Sequence, residues 1–424
     1  MPNNMKYELF FKTPKTSHFF NGYYDKSPIS NCGNFLLAIK VKFIDRLPNK
    51  SDKAEIGFFN LTTKKFSKLA YTNTFNWQQG AMLSWVGKSN KNIIFNRMVK
   101  NKFRSVVLNI TTRKQLILSE AIYTINKMGN LALCIDFERH YWIRRAYSYD
   151  GVYNESKNCN IYQNDGITLL NLINNKYEKI VSILDLLDIK KIFSMSDAIH
   201  YVEHLMFSPN SNKFAFLHRW KDQNNQIYTR LYTYSFKDKK LKLILDTGRL
   251  THYCWIDNDR LLAFGSMNIS IASFVRRYRL TNFILRFFLP KYRKFIKPTN
   301  KLKESSVKSI VTGDSYFSVN IKDGTKKRIL NQLISKDGHP TVFKNKKFFL
   351  TDTYPNEKSI ANLLIADFKS KKLIKVDTLN SIKKFDNSPL RCDLHPKLSN
   401  CENFIAVDTM HEGVRSIFLY KNAK

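Results

Sequence analysis

Short apolar runs alternate with polar turns along the whole chain, and the turns repeat one chemistry. A cluster of Asn, Ser, Pro, Asp or Gly leads into a strand-length run of β-branched, aromatic and Leu residues. Examples are SPISNCGNFLLAIK (residues 27–40), FSPNSNKFAFLHRW (207–220) and HPKLSNCENFIAVDTM (395–410). Each phrase predicts a tight hairpin entering a buried strand, because turn residues bend the backbone and branched residues fill a pleated, half-buried surface. The signal begins near Ser27, Trp85, Asn126, Ser208, Ile256, Thr341 and Pro396. Strand–turn–strand runs lie between, such as AEIGFFNLTTKKFSKLA (54–70) and RSVVLNITTRKQLIL (104–118). A unit of about four strands, recurring every few tens of residues, predicts an all-β chain: one β-propeller domain over residues 1–424. Seven starts predict seven blades. Six is the alternative, since the signals near Asn126 and Ile256 are weaker.

Two intervals are too long for one blade. Residues 136–200 contain the basic aromatic stretch RHYWIRRAYSYDGVYNESKN, then SILDLLDIKKIF (182–193), whose helical spacing predicts a segment lying over one face. Residues 266–335 hold an insertion with the segment SFVRRYRLTNFILRFFLPKYRKFIKPTNKLK (273–303). Arg276, Arg277, Arg279, Arg286, Lys291, Arg293 and Lys294 alternate there with Phe274, Phe283, Phe287 and Phe288. A basic amphipathic helix of this kind suits an anionic membrane surface, a partner or a nucleic acid. The competing expectation is a lid helix packed on its own propeller, with its charges in water; Pro290 splits the segment into two short halves.

Charge sharpens the choice of partner. The 424 residues carry a formal charge of +36, which attracts polyanions such as acidic polysaccharide or anionic lipid. The richness in Lys, Asn and Ile is equally consistent with a bias spread over the surface. No nucleic-acid motif accompanies the charge, so nucleic acid is the weaker expectation. No run of about eighteen apolar residues and no secretory pattern occurs, so the expected location is cytoplasmic, peripheral to the membrane if residues 273–303 bind it. The six cysteines are scattered without a CxxC pair, which disfavours a disulfide framework or a thiolate zinc site.

Candidate chemistry lies at the blade starts. Of nine histidines, His204, His218, His252, His339 and His395 sit at or beside a repeat signal. Each alone reads as a bonded structural residue; five in equivalent places suggest convergence on one mouth. Tyr24 and Asp25 in GYYD, and Trp77 and Gln78 in NWQQG, pair aromatic faces with polar groups, which suits sugar rings or, alternatively, packing between blades. His218 and Arg219 in FLHRW, with Arg391, complete the candidate substrate contacts. Phosphate-loop, serine-hydrolase and zincin motifs are missing.

The ordered series FLHRW, TRLYTY, LTHYCWIDNDRLLAF, DGHPTVFKNKKFFLTDTY and LRCDLHPKLSNCENFIAVDTMHEGVRSIFLY resembles the oligogalacturonate lyases, with a wider likeness to TolB-like propellers. The resemblance covers roughly the second half. It implies a seven-bladed propeller that cleaves short uronic-acid oligomers by β-elimination, with manganese neutralising the sugar carboxylate. By motif position it implies Arg230 as base, His252 as its companion, and His339 and His395 as metal ligands. Asp393 stands where the family has a second histidine, and a carboxylate suits a hard divalent ion. Leu390 stands where the family has a glutamine, and Arg391 beside it is suited to a substrate carboxylate. The alternative is a non-catalytic propeller that binds glycan, protein or anionic membrane in surface-polysaccharide assembly.

Overall fold

The structure is a computed structural model that describes residues 5–153, 155–223, 225–269, 274, 314–329, 336–370 and 372–423. It contains seven antiparallel four-stranded sheets. The innermost strands of blades 1 to 7 are His18–Phe20, Ser84–Trp85, Ile122–Ile125, Ile199–Phe207, Leu250–Trp255, Thr341–Val342 and Lys397–Leu398. The chain is therefore an all-β, seven-bladed propeller.

The recurring turn residues explain themselves in hydrogen bonds. In blades 1, 4 and 7 the hydroxyls of Ser30, Ser208 and Ser399 accept from the backbone N–H of the residue five positions on, at 3.0, 3.1 and 3.0 Å. Asn126 Oδ1 does the same in blade 3 at 3.1 Å. These local bonds compete with extended backbone and fix each hairpin between the first and second strands. The NLTT-type turns are Asx turns: Asn60 Oδ1 accepts from Thr62 and Thr63, and Asn109 Oδ1 from Thr111 and Thr112.

Burial falls from axis to rim. The second strand of blade 7, Phe404–Thr409, is buried throughout, whereas the outermost strand of blade 2, Gln115–Ile117, is exposed throughout. Blade 7 takes its outer strand from the other end of the chain. Tyr7–Lys12 pairs with Ser416–Asn422 and closes the ring.

Two excursions stand on the face from which the innermost strands start. Residues 135–165, between the second and third strands of blade 3, carry helix α1 (Phe137–Ile143). Arg139 is buried and pins this excursion through Asp165 at 2.9 Å and the carbonyls of Ser156, Cys159, Asn160 and His200. The helical spacing at 182–193 forms α2 (Ile183–Asp188), opened by a reciprocal Ser182–Asp185 capping box. The third excursion is the insertion. Blade 5 resumes at Asp314, so two of its strands, Asp314–Asn320 and Lys326–Ile329, fall inside the span 266–335 expected to be inserted. Ser266 pairs with Asp314 across the gap. Apart from Phe274, residues 273–303 lie outside the described residues. Among the described residues no helix is long and apolar enough to cross a membrane.

The loop holding Tyr23 and Tyr24 is bound at its root by Asp408. That carboxylate accepts from the N–H groups of Asn21 and Gly22 at 3.0 and 2.9 Å and from Lys397 Nζ at 3.3 Å. Gly22 has φ +121°, and a Cβ there would meet the Gln79 backbone at 2.6 Å, so only glycine lets the loops at 22 and 79 abut. Asp408→Ala leaves two buried donors and a buried lysine unpaired. It is expected to cost about 3 kcal/mol in urea unfolding; a loss under about 1 kcal/mol would show that the loop does not depend on this carboxylate.

Candidate functional site

The innermost strands deliver side chains to the axis by breaking their own regularity. In blade 4 the register shifts between Glu203 and Met206, and His204 adopts φ +57°. Blade 5 shifts between Leu250 and His252, and blade 3 between Ile122 and Thr124, around Tyr123. His395, just before the first strand of blade 7, has φ +43°. Bulges and left-handed histidines re-aim side chains at a cost in backbone energy, and such sites concentrate where function needs them.

The result is a chain of rings. Ring centroids of His204 and His252 lie 5.5 Å apart, those of His252 and His339 4.3 Å, and those of His339 and His395 4.3 Å. Tyr23 packs edge-on against His204, His339 and His395, and its hydroxyl bonds His204 Nδ1 at 2.9 Å. Tyr24 lies against His252 and His339 and donates to the Tyr253 carbonyl at 2.7 Å.

Carboxylates behind the histidines set their orientation. Asp352 accepts from the His339 N–H at 2.7 Å, faces His339 Nδ1 at 3.0 Å, and accepts from the His395 N–H at 3.2 Å. Gly338 makes this possible: a Cβ there would lie 2.0 Å from the Asp352 carbonyl. Asp337 holds His252 Nδ1 at 3.0 Å and accepts from Thr251 at 2.9 Å. Burial pushes the His395 pKa well below the ordinary value, helped by His339 and Lys397 alongside. Burial also lowers His252 despite Asp337. His339 moves the other way: burial would lower it, but Asp352 and then Asp393 and Asp337 raise it.

His339, Asp393 and His395 each present a ligand atom within 4.8 Å of the others, all buried. Two imidazoles and a carboxylate are a fitting donor set for a divalent transition ion. The chemistry of the group supports the fit. Asp352 occupies His339 Nδ1 and leaves Nε2 free, which is how ligating histidines are held from behind, and the His395 ring nitrogens have no hydrogen-bond partner among the described residues. Arg391 grips Asp393 with two bonds of 2.5 and 2.9 Å and lies 4.6 Å over the Tyr354 ring.

The structure brings His252, His339, Asp393, His395, Arg391 and Tyr24 together. It places the other expected residues elsewhere. Arg230 sits on the third strand of blade 4, where Asp246 holds it at 2.8 Å and the carbonyls of Ile189 and Lys190, at the end of α2, accept from it at 2.9 and 2.7 Å. It does not join the histidines, because its charge serves a helix C-terminus. His218, on the second strand, is buried against His200, with Nε2 3.0 Å from His200 Nδ1. Arg219 reaches inward but is engaged by Glu203 and the carbonyls of Leu250 and Thr251. Asp25 pairs with Lys26 at 2.7 Å on the far side of Tyr24. Trp77 packs in the core on Phe20 and under Arg415 and is no open platform. Gln78 braces the site by donating to the Arg391 carbonyl at 2.9 Å.

Sequence reasoning gave no site role to Tyr23, Asp337, Asp352 or Tyr354, and named His204 only among the five histidines at repeat signals. Their signal is present in the sequence: Tyr23 neighbours Tyr24 in GYYD, Asp337 opens DGHP, and Asp352 and Tyr354 belong to TDTY.

Solved structures place this geometry among known folds. The chain superposes on an oligogalacturonate lyase from Vibrio parahaemolyticus with TM-score 0.60 and 12% identity, covering 99% of this chain and 97% of that one. It superposes equally on an oligogalacturonate lyase in complex with manganese, with TM-score 0.61, 10% identity and the same coverage. The tricorn protease matches with TM-score 0.53 and 11% identity, over 100% of this chain and 35% of that one. No protein-family model and no curated protein matches the sequence. The chain thus has the propeller fold of the oligogalacturonate lyases.

The histidines give the fold a pH limit. His200 is lowered to about 4, and His204, His218 and His395 lie well below the ordinary value of 6.5, all chiefly through burial. Such groups bind fewer protons folded than unfolded, so the stability they allow is lost as pH falls below the unfolded value. His339, with its raised pKa, opposes this alone among these residues. The melting temperature is expected to fall by roughly 5 °C or more between about pH 7.5 and about pH 5. A flat profile in calorimetry would contradict the burial of these rings as neutral groups.

Proposed function

We propose that the protein is a carbohydrate-active enzyme that cleaves an acidic, uronic-acid-containing oligosaccharide by β-elimination. The observation that carries this reading is the grouping of His252, His339, Asp393 and His395 beside Arg391 at one mouth of the propeller. The shared fold of the oligogalacturonate lyases supports it.

In this reading Arg391 receives the sugar carboxylate, since its outer face is free of the bidentate grip on Asp393 and its charge is secured by it. A divalent ion such as manganese, held by His339, Asp393 and His395, would neutralise the carboxylate further and acidify the adjacent C–H. His252 is the base in place of Arg230. Asp337 fixes the Nδ1–H tautomer, and burial keeps the ring neutral, so Nε2 is free to accept the proton. As the C–H bond breaks, a carbon–carbon double bond forms and the glycosidic C–O bond opens. The departing oxygen takes a proton from Tyr354, whose phenol burial keeps protonated.

Incubation with galacturonide, glucuronide and mannuronide oligomers plus manganese is expected to give ultraviolet absorbance from an unsaturated product. His252→Ala should lower kcat by about a hundredfold or more with a folded protein. No absorbance with any of these uronides would overturn the enzymatic reading.

One observation favours a binding-only alternative: both oxygens of Asp393 are already taken by Arg391. On that reading the mouth holds an acidic glycan without cleaving it. Elemental analysis separates the two, because the lyase reading expects about one divalent ion per chain, lost in His339→Ala and His395→Ala. The contact of residues 273–303 with an anionic membrane stays a proposal from their basic amphipathic sequence, tested by liposome flotation with and without them.

A further inference from the structure

The opposite end of the propeller axis carries a second, unassigned cavity. Tyr23, Tyr24, Tyr123 and Tyr253 stand between the two ends: Tyr253 donates to the His204 carbonyl, and Tyr123 bonds the His204 N–H at 2.9 Å and Gln79 at 2.8 Å. Beyond them the first hairpins of several blades form a rim. A cavity of about 240 Å³ there is lined by Asn31, Gly87, Lys88, Lys127, Lys344 and Asn400.

The rim is rigid. Asn400 donates to Asn31, and Asn31 donates to the Gly87 carbonyl at 3.3 Å. Gly87 and Gly129 meet so closely that a Cβ on Gly129 would lie 2.5 Å from Gly87 N. The hairpins of blades 1, 2, 3 and 7 are thereby stitched into one frame. Lys88, Lys127 and Lys344 come to it from blades 2, 3 and 6. None of the three forms an ion pair among the described residues, although neighbouring Lys213 and Lys346 do. One oxygen of the nearby Glu402 carboxylate accepts from the Lys344 backbone N–H. Lys88, Lys127 and Lys344 are exposed side chains that line one opening with no carboxylate in its lining, so their like charges favour an anion there.

We propose that this cavity binds a small multivalent oxyanion of the phosphate class, free or as the phosphate of a sugar, independently of the histidine mouth. Lysines act there as point charges and the Asn31 and Asn400 amides as neutral contacts. The cavity's size suits a phosphate bearing at most one sugar ring rather than a long chain. The site stands whether or not the protein is a lyase.

The test titrates the full chain with inorganic phosphate and with a hexose phosphate by calorimetry at low salt. Two variants of identical net charge are compared. One replaces Lys88, Lys127 and Lys344 by Gln; the other replaces Lys237, Lys239 and Lys240, on an exposed blade 4 hairpin, by Gln. The first is expected to weaken binding by about tenfold or more, while the second and His339→Ala leave it unchanged. Tighter binding of the hexose phosphate identifies a sugar phosphate as the ligand, and equal binding identifies the free anion. Equal loss in both lysine variants, or non-saturable binding by the parent protein, would mean that bulk charge alone attracts phosphate and would overturn the proposal.

Discussion

Ring closure is the constraint on which the other features of this molecule rest. The strand Tyr7–Lys12 joins Ser416–Asn422, and the seam continues inward through Thr13 N–H to the Ile417 carbonyl and Phe19 N–H to the Arg415 carbonyl. Buried Arg415 extends the seam by donating to the carbonyls of Trp77, Leu390 and Arg391. Asp393 and His395 of the last blade stand beside His339 of the preceding blade, and the seam brings Tyr23 of the first blade to them. Closure thus adds Tyr23 and Tyr24 to histidines of successive blades, and side chains hundreds of residues apart meet because the ring has no loose edge.

Closure brings strands near the axis but does not by itself aim them. A regular innermost strand would send alternate side chains sideways into neighbouring blades. The bulges around Tyr123, His204 and Thr251, and the left-handed backbone of His204 and His395, turn rings into the mouth instead. Their cost is offset by fixed partners. Asp352 alone engages the backbone of His339 and of His395, and Tyr253 engages the His204 carbonyl. At His339 the carboxylate that holds the ring also raises its pKa, whereas burial lowers His252 and His395.

The repeat was legible because hairpin chemistry is local. Ser30, Ser208 and Ser399 make the same bond in three blades; of the seven starts read from the pattern, Ser27, Asn126, Ser208 and Ile256 fall in the turn between first and second strands, Trp85 and Thr341 lie on the first strand, and Pro396 immediately precedes it. The site was only partly legible because order along the chain does not reveal distance from the axis. His252, His339 and His395 lie on or just before innermost strands, and they meet. His218 and Arg230 lie on the second and third strands of blade 4, and they do not. Motif order made Arg230 look like the companion of His252, yet the strand that carries it is separated from the axis by two others. Trp77 misled for a different reason. Its indole is needed to fill the core between Phe20 and Arg415, and an aromatic at a blade end serves packing as readily as recognition. The insertion was overdrawn at its far end, because the Lys-rich run at 326–329 hides an outer strand whose exposed face carries little apolar signal.

The net charge of +36 gains meaning from where charges are and are not neutralised. At the histidine mouth every cation has a carboxylate: Arg391 has Asp393, and Arg219 has Glu203. Its charges are thus committed within the fold, Arg391 to Asp393 and Arg219 to Glu203. On the opposite rim Lys88, Lys127 and Lys344 form no ion pair among the described residues. A uniformly basic surface would attract polyanions to both faces alike. The difference between the two ends follows from how the fold distributes its few acidic residues. Asp337, Asp352, Asp393 and Glu203 gather where histidines need orientation, whereas on the far rim Asp257 and Asp259 are paired with Lys346 and Lys213 and no carboxylate lines the cavity of Lys88, Lys127 and Lys344.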